Sequence, residues 1–198
     1  MALGFMPARK YGVHFHLATL AVKRLKNANL LLKGKTERHF EHTVVASLEG
    51  SHKLRKNLIT QVGDEDVEKI SQAALFGFKH RPDTTIGNDG TAIELKVATT
   101  STSVRVLLGQ ALAYRMAYRF VILVLVDQTP DRQVVTLCQD KHSQEYALLT
   151  GLAEEFNIFT VVGPVERGKN LAFVAKGSGR QKSRSAKPVD KPQVGEPE

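Results

Sequence analysis

Cysteine is nearly missing from this chain. Cys138 stands alone among 198 residues, which excludes an internal disulfide and a thiolate metal cage. Set in the apolar run Val134 to Cys138, it reads as a small buried hydrophobe. Long apolar runs are missing too. None approaches the roughly 20 residues that cross a bilayer, and Phe120 to Val126 is only strand-sized. Met1 to Tyr11 lacks the apolar stretch of a signal peptide. These absences predict no membrane partner and a reducing compartment, the cytoplasm or the nucleoid within it. There is no internal repeat, no Gly-rich phosphate loop ending in Lys-Ser/Thr, and no Gly-x-Ser-x-Gly elbow. His14 and His16 lack a third ligand at metal spacing, so a zinc enzyme is disfavoured.

Positive charge is what the chain does have. The formal net charge is +8 and the sequence pI about 9.6. That balance favours a polyanion, nucleic acid before an anionic membrane surface. A hydrophobic fraction of 42% is enough for the core of one domain. Composition divides the chain into a basic N-terminal segment with an amphipathic helix (1–34), an α/β domain (35–175) and a tail (176–198). In the tail Gly, Ser, Lys, Arg and Pro dominate and periodicity disappears, so disorder is expected there.

Hydrophobic spacing predicts a helix from His14 to Leu32, stopped at Gly34, and a second from Thr36 to Leu48. Gly50 to Asn57 reads as a loop. A helix is expected from about Asp64 to Leu75, with the acidic run Asp64 to Asp66 at its start and Val67, Ile70 and Ala74 facing inward. Leu75 to Lys79 reads as a short strand bent at Gly77. Beyond the central stretch, a polar loop is expected at Thr99 to Ser103 and a helix from about Val104 to Tyr118. Phe120 to Val126 reads as a strand buried on both faces. A strand at Val134 to Leu137, a helix at Gln144 to Phe156, a strand at Asn157 to Val162 and an edge strand at Leu171 to Val174 complete the pattern. The fold class is α/β, a mixed β-sheet flanked by helices.

The chemistry concentrates between residues 80 and 115. Asn88-Asp89-Gly90 separates two strand-like runs, Asp83 to Gly87 and Thr91 to Ala98, which is a hairpin signal. Side chains alternate along a strand, so Glu94 and Lys96 share one face and Ile93, Leu95 and Val97 the other. Asp83 on the partner strand comes beside Glu94. Two carboxylates and the Leu95 carbonyl are hard ligands suited to Mg²⁺, or to Mn²⁺ in its place. Such an ion acidifies a bound water and stabilises charge developing on a phosphate. Lys96 would orient that water or help to deprotonate it. Gln110 and Tyr114 lie i, i+4 and so stack on one helix face. Gln110 would reach metal-bound water or phosphate, and Tyr114 a base, sugar or phosphate. Ser103, at a helix N-terminus, together with Arg81 and Arg105, completes the candidate phosphate contacts. Arg115 and Arg119 add positive charge on the same segment.

Pro82-Asp83, followed after a hairpin by Glu94-Leu95-Lys96, resembles the PD-(D/E)XK nuclease superfamily, and Gln110-x-x-x-Tyr114 resembles a further element common there. The likeness spans roughly Phe40 to Val126. It implies a restriction-endonuclease-like sheet and a Mg²⁺-dependent endonuclease, with DNA favoured over RNA. Because many members act as dimers, a homodimer is one assembly it leaves open. In this superfamily the helix before the catalytic hairpin often supplies one more carboxylate. Glu41 is the candidate, with Glu37 one turn away and Glu68 as rivals. The alternative function is a non-catalytic nucleic-acid-binding or assembly protein on the same fold.

Overall fold

The structure is a computed structural model that describes residues 4–31, 36–61, 67–75, 77–165 and 169–178. Its centre is a six-stranded mixed sheet in the order β1-β4-β5-β6-β7-β8. The strands are β1 (Leu58–Thr60), β4 (Thr84–Ile86), β5 (Thr91–Ala98), β6 (Phe120–Asp127), β7 (Ile158–Gly163) and β8 (Leu171–Phe173). β5, β6 and β7 run parallel, whereas β1, β4 and β8 are antiparallel to their neighbours. Two further strands, β2 (Ala73–Leu75) and β3 (Phe78–His80), make a separate hairpin.

β6 holds the sheet together. All seven apolar residues from Phe120 to Val126 are 3% exposed or less, and burying each such side chain is worth about 1.5–3 kcal/mol. Alternation sends Phe120, Ile122, Val124 and Val126 to one face and Val121, Leu123 and Leu125 to the other. The first face is covered by α1 (Gly12–Leu25), through Ala18, Ala21, Val22 and Leu25, and by α2 (Glu37–Glu49), through Phe40, Val44 and Leu48. The second is covered by α4 (Ser101–Tyr114), α5 (Gln133–Gln139) and part of α6 (Gln144–Phe156). Ser143 caps α6 by accepting from the Tyr146 N–H at 2.9 Å, and left-handed Asn157 ends it.

The hairpin, β6, α2, α6, β7 and the edge strand β8 lie where the residue pattern puts them. Elsewhere the structure corrects it. α1 ends at Leu25, not Leu32, because the chain turns at Asn27 to Asn29 to bury Leu30 in the core. The loop at Gly50 to Asn57 contains a short helix, α3 (His52–Arg55), that buries Leu54. The helix expected to Leu75 is a 3-10 turn at Val67–Lys69 followed by β2; Ile70 is buried but Ala74 is exposed. β1 pairs with β4 of the β4–β5 hairpin, and the segment Leu75 to Lys79 is split between β2 and β3 of the separate hairpin. Ser101 to Ser103 are the first turn of α4 rather than a loop, and α4 stops at Tyr114, not Tyr118. Val134 to Leu137 is helical despite its β-branched residues. Asp127 accepts from the Val135 N–H at 2.8 Å and Thr129 Oγ1 from the Gln133 N–H at 2.9 Å, so the ends of β6 and its loop dictate the helix start. Cys138 is buried there, and burial pushes its thiol up to about 12.

Residues 176–178 are held by the domain: the Lys176 N–H donates to Glu154 and Ser178 to the Lys10 carbonyl. The stop at Gly34, the acidic run Asp64 to Asp66 and the rest of the tail lie outside the described residues. No helix among the described residues is long and apolar enough to cross a membrane.

Candidate active site

The β4–β5 hairpin brings Asp83 and Glu94 together. Thr84 pairs with Ile93, so one step further in the antiparallel register sets Asp83 opposite Glu94 on the same face. Gly87, at φ +72°, provides the left-handed turn position. A Cβ at Gly90 would collide with the Ile86 carbonyl.

Two backbone bonds lock the pair. The Asp83 N–H donates to Glu94 Oε2 at 3.3 Å, and the Leu95 N–H donates to Asp83 Oδ2 at 2.9 Å. β4 is short, so beyond it, among the described residues, the edge of β5 has no strand neighbour. Carboxylates take the strand's place: Asp83 at Leu95 and, two residues on, Glu37, whose Oε2 accepts from the Val97 N–H at 3.2 Å. A residue in such a strand turns its N–H and C=O to the same edge. The Leu95 carbonyl therefore faces the edge that Asp83 occupies.

Lys96 lies between these acids. Its Nζ donates to Glu37 Oε1 at 2.7 Å. That bond holds its pKa above the usual lysine value, against a lowering by burial. Glu37, in the first turn of α2, is thus the upstream acid that contacts Lys96. Glu41, one turn on, is near enough to raise Asp83; burial first, then Glu37, raises Glu41 itself. The sequence signal for both was the same, a 3–4 spacing on one helix flank, and only the entry of α2 at the edge of β5 separates their roles. Glu68 is exposed on the 3-10 turn.

Burial, then the charge of Asp83, pushes the Glu94 carboxyl up to about 8. Burial likewise raises Asp83 to about 6, with Glu41 and Glu37 adding and the Leu95 N–H and Lys96 opposing. At neutral pH such a pair retains about one proton. It is a concentration of negative charge with too few donors.

Tyr114 is 1% exposed. Its hydroxyl donates to Glu94 Oε2 at 3.0 Å and lies 3.1 Å from the Arg81 carbonyl. Closed off in this way, it holds the carboxylate and has no face to stack on a base. Gln110, one turn earlier on α4, has a buried Oε1 with no hydrogen-bond partner, and Arg81 a buried Nε in the same condition. Ser103 is half-buried in the first turn of α4, and exposed Arg105 donates to Thr102 Oγ1 at 3.2 Å. Arg115 and Arg119 are not free for phosphate. Arg115 is buried, donating to the carbonyls of Phe156, Tyr118 and Met6, and burial lowers its pKa to about 10. Arg119 is paired with Asp89 at 2.8 Å.

Among the described residues no group of three or more His, Cys, Asp or Glu side chains is placed to hold a metal ion. The donors present are two carboxylates and a backbone carbonyl. That set does not fit zinc, but it fits a hard cation that keeps several waters. No family model matches this chain, and neither a curated protein nor a solved structure matches it.

Proposed function

We propose that this chain is a metal-dependent nuclease of the PD-(D/E)XK type on a restriction-endonuclease-like sheet, hydrolysing phosphodiester bonds, with DNA the favoured substrate. One observation carries the reading: the reciprocal clasp of Asp83 and Glu94 through the Asp83 and Leu95 N–H groups. It gathers two under-neutralised carboxylates and a carbonyl at an open strand edge. The net charge of +8 supports a polyanionic substrate.

A bound Mg²⁺ or Mn²⁺ would supply Lewis acidity and an acidified water. Asp83, Glu94 and the Leu95 carbonyl would hold it. Tyr114 fixes the Glu94 carboxylate, and the Leu95 N–H fixes that of Asp83. Lys96, kept as an ammonium by Glu37, acts by donation: it orients the attacking water or a phosphate oxygen rather than removing a proton. Gln110 accepts from water, and Ser103 and Arg105 lie on the first turn of α4, where phosphate is favoured.

The test is Mg²⁺-dependent cutting of supercoiled, linear and branched DNA by the wild type and by Asp83→Ala. The reading expects cleavage by the wild type alone, abolished by EDTA. Equal cutting by both proteins removes it. DNA binding without cutting, unaffected by Mg²⁺, transfers the chain to the non-catalytic alternative.

A further inference from the structure

A groove of about 570 Å³ runs between the start of α1 and α3. Its apolar floor is shallow, with Leu17 half-buried and Gly12 and Val13 exposed; His16, His52, Lys53, Lys56 and Asn57 complete the lining. The lysines and histidines are exposed, and among the described residues no acidic side chain lines the groove. The volume lies in the usual range for ligand sites, about 300–1,000 Å³. An apolar floor under a cationic rim suits a ligand with a flat, weakly polar body and attached anionic groups. A nucleotide unit has that chemistry, with its base on the floor or against an imidazole and its phosphates toward the ammonium groups. Tyr11, just before the groove, is 54% exposed, and the Arg9 guanidinium sits 5.7 Å from its ring centroid. The platform of ring and cation therefore continues past the groove's end.

The groove is tied to the catalytic hairpin. The Asn57 carbonyl accepts from the Gly87 N–H at 2.7 Å, and a Cβ at Gly90 would lie 3.1 Å from His14 Nδ1. Asp83 is four residues from Gly87 along β4, which a strand covers in about 13 Å.

We propose that this groove binds a single-stranded segment of nucleic acid, at a position outside the Asp83–Glu94 site. The choice of a strand rests on the nuclease reading; the phosphate and base chemistry of the groove does not. Binding is therefore measured without metal, in EDTA, where cutting plays no part.

The experiment titrates fluorescein-labelled 12-nucleotide single-stranded DNA into the full chain by anisotropy at several salt concentrations. Three variants accompany the wild type. Lys53→Ala/Lys56→Ala removes the rim charge. Val13→Asp puts a carboxylate on the floor at a side chain 70% exposed, where acid near a helix N-terminus favours the helix. Lys79→Ala/Lys141→Ala removes equal charge from exposed sites elsewhere.

The expected result is about a tenfold loss of affinity for the rim variant, with the salt slope reduced by about 1.4 for two lost contacts. Val13→Asp loses at least as much while its melting temperature holds, and the control binds like wild type. Rim and floor variants that bind like wild type overturn the proposal. So does equal loss in the control, which would make the effect one of net charge. AMP competing at the same concentration as the oligonucleotide would overturn the strand in favour of a free nucleotide. Binding confined to anionic vesicles would overturn both. Loss of cleavage activity in every assay, with the groove results intact, would count against the active site alone.

Discussion

Two buried carboxylate sites in this molecule are built in opposite ways. Asp127, at the end of β6, is 0% exposed. Its Oδ1 accepts from the Thr129 N–H at 2.9 Å and hydroxyl at 2.6 Å, and its Oδ2 from the Val135 N–H at 2.8 Å. Every lone pair that matters meets a donor, and the result is a joint between strand and helix. Asp83 and Glu94 have fewer donors and face each other, with Glu41 and Glu37 close by. A buried carboxylate with sufficient donors is architecture; a buried pair without them is poised for a cation. Substitutions at the two sites should therefore fail in different ways.

The largest separation should appear in catalysis. Asp83→Asn or Glu94→Gln is expected to lower Mg²⁺-dependent cleavage at least about a thousandfold, about 4 kcal/mol of transition-state stabilisation. Urea unfolding in EDTA should show no loss of stability, because each change relieves the repulsion between the two carboxyls. A large loss of stability would erase the distinction between the two sites. Asp127→Ala should do the reverse. It strands the Thr129 and Val135 N–H groups and should cost about 3 kcal/mol in urea unfolding. Cleavage per folded molecule should remain.

Acidity gives a third contrast. Glu94, raised to about 8 from 4.5, and Asp83, raised to about 6 from 3.8, bind more protons folded than unfolded. Stability then falls as pH rises through the interval from about 4 to about 8. Without metal, the melting temperature should be lower at pH 8 than at pH 5 by several degrees, and Mg²⁺ should restore more at pH 8. Asp83→Asn/Glu94→Gln should flatten this profile, and a profile unchanged by the double variant would assign it elsewhere. The smallest effect belongs to Tyr114→Phe. Its hydroxyl holds the Glu94 carboxyl down, so its removal should weaken metal affinity at pH 7 by about tenfold or less, or about 1 kcal/mol, with the fold retained.

The readable parts of this fold are those whose local pattern and tertiary setting agree. β5 and β6 are long, largely apolar and bounded by turn chemistry, and the Asn88-Asp89-Gly90 turn sets the register of β5 with β4. Between residues 50 and 80 the strands are three residues long, too short to show a period, and β1 pairs with the distant β4. α5 was hidden by its own valines, because the groups that start it, Asp127 and Thr129, precede it in the chain. At the candidate site, Asp83, Glu94 and Lys96 could be grouped from alternation alone. The Glu37 contact could not, since it depends on where α2 meets an edge of β5 left bare by a short neighbour. Nor could the closure of Tyr114, which needed the depth of α4 against the sheet.

The most direct measurement is calorimetric titration of Mn²⁺ into the metal-free protein at pH 7, repeated in buffers of different ionisation enthalpy. The wild type should bind one ion and release about one proton, displaced from the Asp83–Glu94 pair, and Asp83→Ala should show no saturable binding. Absence of a saturable site in the wild type, or the same isotherm from Asp83→Ala, would contradict the account.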